Sequence, residues 1–423
     1  MLGVVFFGLF LLGLFIYKNR VSYQVSDSLE QFRALPYVNS TNTVTTETGV
    51  IQHDLTKAYP GYNLFSNHVN KTFLLDMQGK VVHQWSFPAD EIVNYDYAEL
   101  LDNGEIIGID NQRFLVKLNE DSEVIWSTKL IAHHDVARLL AGGFLTLMYE
   151  PERIYQGRRV KFDAIAQLSE TGEVIDRWSS YEHLEELKKH YPDLEIDKPH
   201  YLFKAKFIKL NDKLAGYLVR LLRRDYPNNN LIELTNKVKE AVEKFLGLFK
   251  VYEYFHTNTI EVLPDNLLGK TDRRFQAGNW LVASRHADLI FIIDKDTKEV
   301  VWGWGPGEIE KPHMPTMLNN GNLLIFDNGT DRGFSRIIEL DPMTKNIVWE
   351  YKTDPPKNFY SKFGGSNQLL PNGNILIGEP DKGRAFEIIP SGQIVWEFIS
   401  FEERKDIYRM IRYPKTEIDQ WLK

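Results

Sequence analysis

The chain of 423 residues contains no cysteine. Disulfide bonds, thiolate nucleophiles and cysteine-based zinc sites are therefore excluded, whereas the redox compartment stays open. Basic residues are outnumbered, with 50 Lys and Arg against 58 Asp and Glu, so the net charge is −8. Nucleic-acid phosphates attract a positive field, and the charge therefore argues against nucleic acid as a partner.

An apolar run without charged side chains stands at the N-terminus, MLGVVFFGLFLLGLFIY, and ends before Lys18 and Arg20. As a helix this run extends roughly 25 Å, close to the lower limit for crossing a bilayer. A secretory signal peptide is the alternative, although basic residues before the run and a small-x-small cleavage site after it are not evident. We therefore predict a transmembrane anchor, or a signal sequence, over residues 1–20, and a linker or lead strand over 21–55.

Aromatic residues are abundant, with 9 Trp and 20 Tyr, which favours β-structure. A hydrophobic phrase that ends in tryptophan occurs six times, for example KEVVW, KNIVW and GQIVW. The six copies end at Trp85, Trp126, Trp178, Trp302, Trp349 and Trp396. A strand-like run precedes each copy, and turn-plus-strand phrases such as MLNNGNLLIF and LLPNGNILIG stand further upstream.

A unit of about 40 to 50 residues with three or four short strands is typical of a propeller blade. Six copies predict an all-β fold, a six-bladed β-propeller over residues 56–400, with a C-terminal tail over 401–423. A β-sandwich with accidental repeats is the alternative, but it does not predict three phrases in the same order in each repeat.

The spacing between Trp178 and Trp302 is much longer than the others and predicts a helical insertion over residues 180–252, because its apolar periodicity is helical. Within residues 200–224 there are seven Lys or Arg and one acid, Asp212. A basic amphipathic helix can lie on an anionic membrane. A helical cap on the propeller, with solvated lysines, is the alternative.

Three histidines precede or begin strands that are predicted to line the central channel. They are His134 in AHHDVARLLAGG, His256 in YFHTNTIEVLPDN and His313 in KPHMPTMLNNGN, while Ser366 takes this place in GGSNQLLPNGN. Because the chain has 11 histidines in all, three at matching places indicate a shared site at the channel mouth.

Two site chemistries are compatible with three imidazoles: a zinc or copper ion, or an anion pocket with a nucleophile. Arg285, in NWLVASRHADLIFIID, favours the anion pocket if its guanidinium enters the site. Alternation along a strand predicts that Arg285 and His286 face opposite sides. Pairing of Arg285 with Asp288 is the structural alternative.

Over roughly residues 55–415 the sequence resembles the bacterial arylsulfate sulfotransferases, PAPS-independent enzymes built on a six-bladed propeller. The matching phrases are HHDVARL, FHTNTIEV, WLVASRH, SRIIELD with IVWEY, GGSNQLLPNGNILI with GRAFEI, and RMIRYP.

The resemblance implies transfer of a sulfuryl group from a phenolic sulfate ester to a phenol through a sulfated histidine, without a metal or another cofactor. It implies that His313 is the nucleophile, that His256, Asn258 and Arg285 grip the sulfuryl oxygens, and that His134 assists. Ser366 is expected to bind substrate. Such chemistry places charge on peripheral oxygens, so fixed donors do most of the work.

The chain departs from the family pattern in several places. His313-Met314-Pro315 stands where His-Asp-Ala is expected, so the supporting acid is missing. A separate N-terminal β-domain and a disulfide are absent, and the insertion is unusually basic. The rival function is a non-catalytic scaffold or anion-binding propeller. Phrases such as DKDTKEVVW also resemble quinoprotein-type repeats. Six blades and the set of histidines fit that family less well.

The resemblance implies a membrane-anchored protein whose body faces the periplasm or the cell exterior. Lys18 and Arg20 follow the apolar run, and the positive-inside rule applied to them favours the opposite orientation. The expected partners are small aryl sulfates and phenols, and a membrane.

Overall fold

The structure is a computed structural model that describes residues 48–66, 70–88, 95–110, 112–191, 251–401 and 407–422. The predicted anchor over 1–20, the linker up to residue 47 and the basic segment over 200–224 lie outside these residues. None of the helices in the described part of the chain is long and apolar enough to cross a membrane.

The described residues are mostly strand. In the first half of the chain the strands are β1 (Gly49–His53), β2 (Tyr62–Ser66), β3 (Lys71–Leu75), β4 (Val81–Ser86), β5 (Tyr95–Leu100), β6 (Ile106–Asp110), β7 (Phe114–Leu118), β8 (Val124–Lys129), β9 (Ala132–Arg138), β10 (Phe144–Tyr149), β11 (Arg153–Tyr155), β12 (Arg158–Lys161), β13 (Asp163–Leu168) and β14 (Val174–Ser179). In the second half they are β15 (Val251–Glu253), β16 (Thr257–Val262), β17 (Trp280–Ser284), β18 (Leu289–Ile293), β19 (Val300–Trp304), β20 (His313–Met317), β21 (Leu323–Asp327), β22 (Arg336–Asp341), β23 (Asn346–Tyr351), β24 (Ser366–Leu369), β25 (Ile375–Glu379), β26 (Arg384–Ile388), β27 (Ile394–Ile399) and β28 (Met410–Tyr413).

Helices in the described part are short. They are α1 (Leu184–His190), α2 (Lys415–Ile418) and the 3-10 turns Asp102–Gly104, Leu268–Lys270, Arg273–Phe275, Pro356–Asn358 and Pro380–Lys382.

The strands form six antiparallel sheets of four or five strands, and each sheet contains one of the six tryptophan phrases. Their orders are β28-β2-β3-β4, β5-β6-β7-β8, β9-β10-β13-β14, β16-β17-β18-β19, β20-β21-β22-β23 and β24-β25-β26-β27-β1. Neighbouring sheets contact one another in this order, through β2 and β5, β5 and β9, β9 and β16, β16 and β20, β20 and β24, and finally β24 and β28. The sheets therefore close a ring, which is the arrangement of a β-propeller, and the all-β prediction is confirmed.

The repeated tryptophans join neighbouring sheets. The indole N–H groups of Trp85, Trp126, Trp178, Trp302 and Trp396 donate to the backbone oxygens of Gly104, Glu170, Lys298, Pro342 and Met77, at 2.9 to 3.0 Å. Each acceptor lies in a turn of the following sheet, and the last bond leads from the sixth sheet back to the first. A buried indole needs an acceptor for its N–H, so this bond explains why tryptophan recurs in the phrase.

Burial along the strands follows their place in the sheets. All residues of the middle strands β18 and β21 are buried, because neighbouring sheets cover both faces, and such strands read as continuous apolar runs. The outer strand β8 is partly exposed along its whole length. The core therefore lies between the sheets around the ring.

The last residues of the chain close the ring. Residues 401–423 are expected to be a tail outside the propeller, but Met410–Tyr413 pair with β2 and become the innermost strand of the first sheet. β1, the predicted lead strand, pairs with β27 at the outer edge of the sixth sheet. The first and the last strand of the described residues are thus both held by strand pairing.

Only the two ends of the predicted insertion over 180–252 fall in the described residues. The N-terminal end of the predicted insertion contains α1, and its C-terminal end contains β15. β15 pairs in parallel with β12 in a small separate sheet, β11-β12-β15. This small sheet brings Glu253 towards the channel mouth.

Candidate functional site

The three predicted histidines meet where the innermost strands of the third, fourth and fifth sheets begin. His134 lies in β9, His256 directly precedes β16, and His313 is the first residue of β20. The ring centroids of His134 and His256 are 4.8 Å apart. Burial lowers the pKa of His134, and the charges of His256 and His313 lower it further. The structure therefore brings the His134 and His256 rings into contact and places His313 near them.

A backbone irregularity accompanies each histidine. The strand register shifts near the start of β9, β16 and β20, and β-bulges of this kind re-aim side chains beside functional sites. His134, His256 and Met314 have left-handed φ angles of 61°, 49° and 43°. Such angles are unfavourable for residues with a Cβ atom and tend to cluster at functional sites. Met314 belongs to the bulge that fixes how His313 enters the strand.

The His313 imidazole is held in one tautomer. Its Nδ1 lies 3.0 Å from the backbone oxygen of Lys311 and 2.7 Å from Oδ1 of Asn328. A carbonyl oxygen can only accept, so Nδ1 carries the hydrogen and the lone pair of the neutral ring is on Nε2. The buried Asn328 amide is itself fixed, since Nδ2 donates to the backbone oxygens of Ser361 and Gly364, each at 2.8 Å.

His313 is also kept uncharged. Burial and then the neighbouring Arg285 guanidinium lower the pKa of His313 to about 3. A neutral imidazole with a free lone pair is a competent nucleophile near neutral pH. The missing acid after His313 is therefore replaced by an amide from the end of the next strand, Asn328.

His256 has a carboxylate partner. Its Nδ1 lies 3.1 Å from Oε2 of Glu253, and its ring stacks on His286 with centroids 4.6 Å apart. Burial opposes ionisation of Glu253, but the charges of His256 and Lys161 hold the pKa of this carboxyl well below its usual range. The Glu253 carboxylate is close enough to fix the orientation of the His256 ring.

Glu253, His256 and His286 could hold a metal ion, because their donor atoms lie within 4.8 Å of one another. The rings of His256 and His286 are stacked with 23° between their planes. Imidazole lone pairs lie in the ring planes, so in this stacked orientation they do not converge on one point. Common ligation would require one ring to turn, and the arrangement fits a carboxylate–histidine pair better.

Arg285 and His286 both reach the site, which corrects the expectation that they face opposite sides. The second strand of this sheet ends at Ser284, so the two residues belong to the following turn and strand alternation does not apply. His286 stacks on His256, whereas Arg285 is buried and lowers the pKa of His313. Asp288, the alternative partner of Arg285, accepts from the backbone N–H and the ammonium of Lys311, each at 2.8 Å.

Asn258 is completely buried and contacts the backbone that carries the nucleophile. Its Nδ2 donates to the oxygen of Pro312 at 2.8 Å, and its Oδ1 accepts from Thr259. The Thr259 hydroxyl in turn accepts the backbone N–H of Met314 at 3.0 Å. In this geometry Asn258 positions His313.

Ser366 is placed at the ring closure. Its buried hydroxyl accepts the backbone N–H of Met410 in β28 at 3.4 Å. Ser366 therefore contacts the strand that completes the first sheet, whereas the histidines belong to the third to fifth sheets.

Four site residues are missed by sequence reasoning. They are His133, Glu253, His286 and Asn328. His133 Nδ1 lies 2.9 Å from Nδ1 of His134, so one of the two rings donates to the other. The doubled histidine of AHHD and the Asp-Asn that follows LLIF are the signals that could have pointed to His133 and Asn328.

Taken together, the site offers a neutral nucleophilic imidazole beside a buried guanidinium and a histidine paired with a carboxylate. The guanidinium and the paired histidine can stabilise negative charge on the oxygens of a tetrahedral anion. The arrangement is suited to transfer of an anionic group to and from His313.

Comparison with known families agrees with this chemistry. The family model described as Arylsulfotransferase (ASST) matches residues 97–402, which is well over half of the chain. His134, His256, Arg285 and His313 all lie within the matched range. The chain matches no curated protein.

Similar solved structures have low sequence identity. A protein of unknown function from Bacteroides caccae is 13% identical with a TM-score of 0.45, covering 84% of this chain and 99% of its own. A streptogramin B lyase is 13% identical with a TM-score of 0.45, covering 86% and 85%. Virginiamycin B lyase from Staphylococcus aureus is 9% identical with a TM-score of 0.44, covering 84% and 90%. Their activities are not carried over to this chain.

Proposed function

The chain belongs to the arylsulfotransferase family, and we propose that it transfers a sulfuryl group from a phenolic sulfate ester to a phenolic acceptor through a sulfated His313. The observation that carries this proposal is the buried, neutral His313 whose Nδ1 hydrogen is held by Asn328 and Lys311. This leaves Nε2 as the attacking atom. The donor needs no PAPS, because the sulfuryl group comes from the ester itself.

In the first half of the reaction, the Nε2 lone pair attacks sulfur. The N–S bond forms, the S–O bond to the phenol breaks, and the phenolate leaves with that electron pair. Arg285 and His256 stabilise the charge on the remaining sulfuryl oxygens. The sulfated ring keeps its Nδ1 hydrogen bonded to the Asn328 oxygen, so the zwitterionic intermediate, an imidazolium that carries the anionic sulfuryl group, stays oriented.

In the second half, the acceptor phenol attacks the sulfur of sulfated His313. The new S–O bond forms and the N–S bond breaks, which returns the neutral imidazole. The phenolic proton passes to His134 as the N–S bond breaks. Burial lowers the pKa of His134 well below its usual range, so the ring is neutral beforehand and relays the proton without retaining it. His134 then returns the proton to solvent or to the first phenolate.

The architecture and location form part of the same proposal. The six sheets of the ring act as the six blades of one propeller, with the histidine cluster at one mouth of the channel. The apolar N-terminal run of 1–20 anchors the protein in a membrane, the body is periplasmic or extracytoplasmic, and the basic segment of 200–224 lies on the lipid. Removing residues 200–224 should then weaken liposome binding; unchanged binding would contradict this placement.

The experiment that tests the function uses 4-nitrophenyl sulfate with phenol as acceptor. We expect release of 4-nitrophenol and, without acceptor, one sulfuryl group on His313 by peptide mass spectrometry. His313→Asn should abolish both. No release and no adduct in a folded protein that still binds sulfate would overturn the proposal in favour of a non-catalytic, anion-binding propeller.

A further inference from the structure

A short loop lies beside the nucleophile. It comprises residues 360–364, with the sequence Tyr-Ser-Lys-Phe-Gly, and is called the 360–364 loop here. The Asn328 amide that holds His313 also donates to the backbone oxygens of Ser361 and Gly364, each at 2.8 Å. The loop and the nucleophile are therefore fixed by the same side chain.

Other side chains hold the remaining backbone groups of the loop. Asp381 accepts the N–H of Lys362 at 2.7 Å and also that of Phe363. The Ser335 hydroxyl accepts the N–H of Ser361 at 2.9 Å, and Arg285 donates to the oxygen of Lys362 at 3.5 Å. A connection held in this way loses little conformational entropy when a ligand binds to it.

The loop presents an aromatic ring between two cations. The Phe363 ring centroid is 5.7 Å from the Arg285 guanidinium carbon and 5.1 Å from the Lys362 ammonium. Arg285 is the same residue that lowers the pKa of His313, so the ring borders the anion pocket. Phe363 and Lys362 are both half-buried, so part of each side chain is exposed.

Lys362 differs from the other cations at this mouth. Lys311 pairs with Asp288 at 2.8 Å, whereas the contacts of the Lys362 ammonium within the described part of the chain include the Phe363 ring but no carboxylate. A lysine stem is long and flexible. The ammonium can leave the ring face when another aromatic ring stacks there, and still reach a substituent of that ring.

We propose that Phe363 is the platform for the aromatic ring of the substrate, and that Lys362 binds a second anionic group on that ring. The preferred substrates are then aryl sulfates and phenols that carry a further negative substituent such as a carboxylate. This inference rests on the proposed function, because it assigns the sulfuryl end of the substrate to Arg285 and His313.

The test uses ligands that cannot react, so that binding is separated from turnover. Benzenesulfonate and 4-sulfobenzoate carry carbon–sulfur bonds that are not transferred, and inorganic sulfate lacks a ring. Calorimetric titration of the full chain with each probe gives its Kd. The variants are Phe363→Ala and Lys362→Ala, and Phe114→Ala is the matched control, since its ring also faces an arginine, Arg113, at 5.6 Å.

We expect Phe363→Ala to weaken benzenesulfonate about 3- to 10-fold, the range of an aromatic pair, and to leave the Kd of sulfate unchanged. Lys362→Ala should weaken 4-sulfobenzoate about threefold more than benzenesulfonate, and salt should remove the difference. Phe114→Ala should change none of these values.

Equal losses for sulfate and benzenesulfonate in Phe363→Ala, or no preference of the native protein for 4-sulfobenzoate, would overturn the inference. A different result would overturn the proposed function. A protein that binds aryl sulfonates through Phe363 but never sulfates His313 keeps this inference and loses the sulfotransfer. A protein that forms the His313 adduct, but binds aryl sulfonates equally well without the Phe363 ring, keeps the sulfotransfer and loses this inference.

Discussion

The Nδ1 atom of His313 lies 2.7 Å from the side-chain oxygen of Asn328, and this bond sets which nitrogen of the ring can react. Asn328 is completely buried and its Nδ2 has two backbone acceptors. The Asn328 amide therefore cannot flip. A flipped amide would place its Nδ2 donor against the N–H of His313 and its Oδ1 against two backbone oxygens. The bond orients the imidazole as a carboxylate does elsewhere, but it adds no negative charge that would raise the histidine pKa.

Asn328→Ala should lower kcat for 4-nitrophenyl sulfate by about 100-fold, because the ring loses the acceptor that selects its tautomer and the 360–364 loop loses its anchor. The control is Asn279→Ala, which removes an equally buried amide bonded to the oxygens of Arg273 and Arg274, each at 3.0 Å. Both variants should lose similar stability. If kcat fell by the same factor in Asn328→Ala and Asn279→Ala, Asn328 would have a structural role only.

Glu253→Gln should raise KM for aryl sulfates by about tenfold. The Glu253 carboxylate lies 3.1 Å from Nδ1 of His256 and orients the ring, so without it the His256 ring is less well placed for the sulfuryl oxygens. The measurement is KM for the variant and the native protein at one pH.

The control for Glu253 is Glu150→Gln. Glu150 is also buried, but it pairs with Arg177 at 2.8 Å and Arg153 at 3.3 Å. We expect Glu150→Gln to leave KM unchanged. Equal increases of KM in the two variants would show that Glu253 acts only through packing.

The ring of sheets could be predicted because its signals are local. A turn, an apolar strand and a tryptophan phrase recur within each unit, and the indole of Trp396 finds its acceptor, Met77, in the next sheet whatever the intervening chain length. β28 could not be predicted in this way. It is a single strand whose partner, β2, is more than 340 residues away along the chain.

The site could be predicted in part. His134 and His313 each lie five residues before the leucine that precedes a turn, Leu139 or Leu318, so the repeat aligns them. His256 lies seven residues before Leu263, and it joins the cluster because it precedes a bulged strand.

Glu253 is outside the repeat altogether. It belongs to β15, which follows the insertion and pairs with β12 in a sheet that no repeated phrase encodes. Its approach to His256 is a tertiary contact without a local signal, and for this reason the spacing of the motifs did not indicate it.

The stability of the protein should depend on pH through His313. Because the pKa of His313 in the folded protein is about 3 and that of an exposed histidine is about 6.5, the unfolded chain binds a proton first as pH falls. The folding stability that the neutral His313 ring contributes is therefore lost as the pH falls below about 6.5. The loss reaches about 2 kcal/mol at pH 5.

His313→Asn removes this titration while keeping a polar side chain. Denaturant unfolding at pH 7 and pH 5 should show a smaller loss of stability in the variant than in the native protein, by about 2 kcal/mol. Other buried groups titrate in both proteins and cancel in the difference. If the free energy of unfolding fell by the same amount in both proteins between pH 7 and pH 5, His313 would not be buried as a neutral ring.

Arg412 tests whether the last strand closes the ring. Its side chain is fully buried, donates to Oδ1 of Asn63 at 2.7 Å and to the oxygen of Tyr59 at 3.0 Å, and pairs with buried Glu387. Arg412→Ala leaves the Glu387 carboxylate without its cation, and such a loss costs about 3–5 kcal/mol.

The matched variant is Arg138→Ala, which breaks an exposed pair with Asp102 that is worth less than about 1 kcal/mol. Thermal unfolding of both variants should show a large decrease of Tm for Arg412→Ala and a small one for Arg138→Ala. Limited proteolysis should then cut Arg412→Ala first near β28, because the innermost strand of the first sheet is held by fewer bonds once Arg412 is gone. Similar Tm values for the two variants would mean that the buried Arg412 pair contributes no more to the closure of the ring than an exposed pair, and that the backbone pairing of β28 with β2 holds the strand.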